Sequence, residues 1–92
     1  MCLRIELPSG ELRIFPYQHL VTGVLTSAAD GEVLRLSFSS HEVEIVGRNL
    51  RDLLVALQDY AVKWVCTMPA RYESLVERDR GMVVAIRITV SD

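Results

Sequence analysis

Few residues in this chain have side chains suited to catalysis or ligand binding. The stretch Ser39-Ser40-His41-Glu42-Val43-Glu44 gathers hydroxyls, an imidazole and two carboxylates within six residues. A second histidine, His19, lies in "PYQHL", and the thiols are Cys2 and Cys66. Acid–base chemistry needs such groups to converge in a cleft. A cysteine nucleophile needs a base within hydrogen-bond reach and a lowered pKa, and a metal site needs three or four ligands at fixed distances. The histidines and cysteines are far apart in the chain and show no metal-type spacing such as C-x-x-C. "VGRNL" holds a single glycine and is no phosphate loop. The sequence therefore predicts no catalytic residue, no metal and no cofactor. A small enzyme using Cys66 with a histidine stands as an alternative.

Whether "SSHEVE" is a site depends on the element that carries it. Up to Phe38 the apolar row is even-numbered (Leu34, Leu36, Phe38), and from Val43 and Ile45 it is odd-numbered, so a turn must separate them. A hairpin closed around Ser40-His41 pairs Phe38 with Val43 and Leu36 with Ile45. Ser39 and Ser37 then lie opposite Glu42 and Glu44 on the solvated face, with His41 at the tip. The carboxylates become strand-surface residues, on a ridge rather than in a cleft.

The first half of the chain alternates with period two throughout, which is a strand signature. "LRIEL" and "LRIF" flank "PSGE". With 8–11 as the loop, Leu7 faces Leu12, Ile5 faces Ile14 and Glu6 faces Arg13. Asp30-Gly31 predicts a two-residue hairpin turn, pairing Leu25 with Leu36 and setting Gly23 beside Phe38. After Gly47, "RNLRDLLVALQDY" places Leu50, Leu53, Leu54 and Leu57 on one helical face, with Asn49 as N-cap and Asp52 in the first turn. "AVKWVCT" reads as a short strand with Val62, Trp64 and Cys66 on its apolar side. A short helix is expected over 69–80, with Pro69 near its start and Gly81 at its stop. "MVVAIRITV" closes the chain as a strand apolar on both sides, expected to be central or covered.

The expected architecture is a single α+β domain over 1–92. It is a mostly antiparallel sheet of about six to seven strands in the order β-β-β-β-β-α-β-α-β, with one main covering helix and one short helix. Half of the 92 residues are hydrophobic and 24% are charged, so the chain is globular rather than disordered. No apolar run approaches the roughly 20 residues of a membrane helix, and the N-terminus carries no signal-type apolar run. A cytoplasmic protein with free thiols is the expectation.

Net charge is −2, from ten basic and twelve acidic residues, which weighs against a general nucleic-acid binder. Arg48, Arg51, Arg71, Arg78 and Arg80 still form a candidate anion or nucleic-acid contact set, if both helices lie side by side. Glu73, Glu77 and Asp79 oppose it in the same segment. The favoured reading is a non-catalytic interaction module that self-associates, with a homodimer as partner state. Its candidate interface is Val24, Trp64, Val83 and Ala85, outward or two-sided apolar positions that a symmetric dimer would bury.

Overall fold

The computed structural model of the chain describes residues 1–67 and 82–91. Its architecture is the expected α+β class, largely antiparallel, with the strands shared between two sheets. Strand β1 (Cys2–Glu6) lies at the centre of a three-stranded sheet. It pairs antiparallel with β2 (Leu12–Pro16), and Trp64–Cys66 joins its other side in parallel. Strands β3 (Leu20–Ala28), β4 (Gly31–Phe38) and β5 (His41–Arg48) form a meander. The strand Met82–Val90 completes this four-stranded antiparallel sheet beside β5. In chain order Trp64–Cys66 is β6 and Met82–Val90 is β7, while α1, the one α-helix among the described residues, spans Arg51–Gln58. A 3-10 turn at Tyr17–His19 carries the chain from one sheet to the other.

Alternation explains why the two sheets face each other. On β1, Leu3 and Ile5 are fully buried while Arg4 is exposed. On β4 and β5 the buried set is Leu34, Leu36, Phe38, Val43 and Ile45. The Phe15 and Phe38 rings stack across the two sheets at 4.7 Å between centroids. Leu50 and Leu57 of the helical segment join the same cluster, with Leu53 and Leu54 packed against it. Each fully buried Leu or Ile contributes about 1.5–3 kcal/mol relative to an exposed position. A Leu36→Ala change therefore costs about 2–5 kcal/mol.

The helix ends show how local and distant residues share the work. Asn49 adopts φ 54°, a left-handed conformation that asparagine tolerates, so it is not the N-cap expected from sequence. Leu50 takes that position, and Glu32 of β4 accepts its N–H at 2.7 Å through Oε1. At the other end Tyr60 has φ 56°. Its N–H donates to the Leu57 carbonyl, and the Ala61 N–H donates to the Ala56 carbonyl at 2.9 Å. This closes the helix as a left-handed C-terminal cap. The Tyr60 ring meets Tyr17 edge-on at 5.1 Å, a contact that offsets part of the strain. Tyr17 also donates its hydroxyl proton to the Val62 carbonyl at 2.5 Å. Burial raises the pKa of its phenol above the ordinary value.

Several expected pairings shift. In the first hairpin the loop has three residues, Pro8-Ser9-Gly10, with Gly10 at φ 93°. The Gly10 N–H donates to the Leu7 carbonyl, and the Leu7 N–H donates to the Glu11 carbonyl. Shortening the loop by one residue moves the register by one, and a one-residue slip exchanges the faces. Ile5 therefore pairs with Arg13 and Glu6 with Leu12, so Phe15 turns inward while Leu12 and Ile14 turn outward. The next two turns fall one residue earlier than expected, at Ala29-Asp30 and Ser39-Ser40. Leu25 thus pairs with Leu34, Gly23 with Leu36, and Leu36 with Val43. These are two-residue slips, so every face keeps its identity.

Strand β7 is not central. It forms an edge of the four-stranded sheet among the described residues. A bulge at Val84, between the Val46–Ala85 and Gly47–Val83 pairs, reverses its alternation. Beyond the bulge Ile86 and Ile88 face Ile45 and Val43 over the core. The short helix expected over 69–80 lies outside the described residues.

Candidate functional site

The three-stranded sheet turns an apolar outer face to solvent, and its register assembles that face. Ile14, Arg4 and Trp64 form one cross-strand rung, and Leu12, Glu6 and Cys66 form the next. Ile14 is 65% exposed, Leu12 56% and Trp64 50%, so three large apolar side chains from both flanking strands stand around a charged centre. The Arg4 guanidinium lies over the Trp64 ring at 5.2 Å from its centroid. Such a contact holds the cation in place while leaving its donors accessible. Beside Trp64, a hollow of about 510 Å³ is lined by Glu6, Leu7, Pro8, Gly10, Cys66 and Thr67.

The outward position of Trp64 and Cys66 has a simple cause. β6 pairs parallel to β1 with Ile5 beside Val65, and that puts Val65 in the core. Cys66 is therefore exposed, not the buried small hydrophobe that alternation with Val62 and Trp64 suggested. Cys2 is exposed as well. Alternation with Ile5 and Leu7 places Leu12 and Ile14, which carry most of this face, inward, and the register reverses that. Because Phe15 and Tyr17 on the opposite parity bring more apolar area, their size was the available signal.

The other candidate interface residues are dispersed. Val24 is exposed on the outer face of the four-stranded sheet, in a rung with Arg35, Glu44 and Arg87. Ala85 is exposed in the neighbouring rung with Val46 and Val33. Val83 is half-buried and packs against the core. Trp64 belongs to the opposite sheet, so the four do not form one patch. The outer face of the four-stranded sheet is largely polar, and Arg35 Nε meets Glu44 Oε2 at 3.2 Å there.

Arg48 ends β5, where its guanidinium donates to the Met82 Sδ at 3.7 Å, and Arg51 begins α1. Arg71, Arg78 and Arg80 lie outside the described residues. His41 opens β5 rather than sitting at a turn tip. It is half-buried, edge-on to Phe15 at 5.7 Å, with Nδ1 at 2.8 Å from Ser40 Oγ. His19 is exposed in the 3-10 turn. His41 and Cys66 sit in different sheets. Among the described residues no group of three His, Cys, Asp or Glu side chains is placed to hold a metal ion, and no helix is long and apolar enough to cross a membrane.

Comparison with protein-family models, with curated proteins and with solved structures returned no match.

Proposed function

We propose that this chain is a non-catalytic interaction module that self-associates through the outer face of its three-stranded sheet. The supporting observation is the set of Leu12, Ile14 and Trp64, three large apolar side chains at least half exposed on the two strands that flank β1. Water contact at such side chains costs about 25 cal/mol per Å², and a second copy removes it. The face measures about 17 Å along the strands and about 14 Å across them, from standard strand spacings. That is roughly 240 Å² per copy, smaller than standard specific interfaces, so the association is weak, and a Kd on the order of 10–100 µM is the value to test. We take the chain to work in the cytoplasm, a setting that suits two exposed free thiols.

Sedimentation velocity tests the reading. The wild-type chain should show a concentration-dependent shift from monomer to dimer, and Ile14→Asp should abolish it while leaving the far-UV CD spectrum unchanged. A wild-type chain that stays monomeric to about 1 mM, well above the expected Kd range, overturns the proposal.

A further inference from the structure

We infer that two copies join these faces about a two-fold axis crossing β1 at Ile5, so that Arg4 of each copy meets Glu6 of the other. The inference rests on the self-association proposed above and fixes its geometry. The outward row of β1 is Cys2, Arg4 and Glu6, and its two charges stand one residue either side of inward-facing Ile5. Two-fold axes that lay such a face on its own copy with strands aligned run along β1 or across it, and one across it at Arg4 sets Arg4 on itself. An axis along β1 sets Arg4 on Arg4 and Glu6 on Glu6, which is repulsive on both counts. An axis across the strands at Ile5 exchanges the two rungs. Arg4 then opposes Glu6, Ile14 opposes Leu12, and Trp64 opposes Cys66 of the second copy. Each residue of these two rungs gains a partner, Cys2 and Pro16 lie beyond them at the rim, and the contact, using the same patch on both copies, closes on itself.

The charge pattern thus selects one orientation, which is the main role of charges in an interface. At the sheet spacing of about 10 Å, Arg and Glu side chains are long enough to meet. Pairing through the β2 edge is a poorer route. β2 ends at Pro16 and follows a turn containing Pro8, and proline offers no N–H to a new strand.

Two single reversals, Arg4→Glu and Glu6→Arg, separate the possibilities. Each alone puts like charges on both halves of the face and should weaken self-association by about tenfold or more. Mixed in equal amounts, the two variants should form a heterodimer with affinity near that of the wild type. The double exchange, Arg4→Glu with Glu6→Arg, should dimerise by itself and remains informative if either single variant fails to fold. Sedimentation velocity with one variant fluorescently labelled reads all of these. If the wild type self-associates and Ile14→Asp blocks it, yet neither reversal weakens it or neither the mixture nor the double exchange recovers it, the Arg4–Glu6 geometry is wrong while self-association stands. A monomeric wild type removes both.

Discussion

Gly47 is, among the described glycines, the one where an added side chain meets its neighbour most closely, and the consequence can be worked out. A Cβ built there meets the Met82 carbonyl oxygen at 2.0 Å, whereas ordinary contact begins near 3.4 Å. In Gly47→Ala the β7 backbone must therefore retreat by 1.4 Å, the difference between those distances. A ladder hydrogen bond of about 2.9 Å stretched that far exceeds 4 Å and is lost. Gly47–Val83 and Arg48–Met82 are the last two pairs of this ladder, beyond the bulge at Val84. Losing two bonds at about 1 kcal/mol each, with part of the burial of Met82, gives a cost of about 2–4 kcal/mol. That corresponds to a fall in Tm of roughly 10–25 °C for a domain of this size. Gly23→Ala is the control, because its Cβ would press only on the ends of the Leu36 and Leu54 side chains, at 3.3 and 3.4 Å, with the Arg35 carbonyl oxygen at an ordinary 4.0 Å. Those can yield, and the change should stay below about 1 kcal/mol. Urea unfolding followed by far-UV CD, with m unchanged, measures both. Equal stabilities for the two variants would refute the reasoning.

Other consequences are as direct. Glu32→Ala should cost about 1–2 kcal/mol by leaving the Leu50 N–H without its acceptor, and Glu32→Gln should cost less than half of that, since it keeps an oxygen there; equal losses in urea titrations argue against the cap. Tyr17→Phe should cost about 1 kcal/mol near neutral pH through loss of the Val62 bond. Because the folded phenol titrates above its unfolded value, the stability it supplies is present in full below about pH 10 and is lost as pH rises through the folded value. The gap between wild type and Tyr17→Phe should therefore narrow in alkali, and a constant gap contradicts the burial of Tyr17. Both thiols should react with a chromogenic disulfide reagent in the native monomer, and Cys66 should slow as the chain self-associates. Protection of Cys66 in dilute solution counts against its outward position.

Much of the fold was legible because face identity follows from local alternation. Leu34, Leu36 and Phe38 against Val43 and Ile45 left one assignment of inside and outside, and the Leu50, Leu53, Leu54 and Leu57 stripe fixed the helix face. Turn position was less legible. Asp30-Gly31 carries the strongest hairpin signal, yet the turn uses Ala29-Asp30 and Gly31 enters the strand. There an added Cβ would lie 2.6 Å from the Gly47 carbonyl oxygen, so packing against β5 sets the role of that glycine. Segments apolar on both parities gave no unique face. In β2 and β6 the choice came from distant partners, Phe38 for Phe15 and the parallel pairing of Ile5 with Val65. The Glu32 cap is equally non-local, reaching Leu50 from 18 positions away.

The candidate site shared that limit. Trp64 was recognised, but Leu12 and Ile14 emerged only with the register that Gly10 imposes. Arg4 and Glu6 looked like ordinary strand-surface charges until the sheet placed them at the middle of an apolar face.

Trp64 is the sole tryptophan of the chain and stands on the proposed contact face, so its emission tests self-association directly. Recorded from about 1 µM to about 500 µM, a range spanning the expected Kd, the spectrum should move to shorter wavelength along the same isotherm as the sedimentation mass. Ile14→Asp should hold it at the dilute position. An emission maximum that does not change with concentration while the mass doubles would place the contact elsewhere, and a constant mass would contradict self-association altogether.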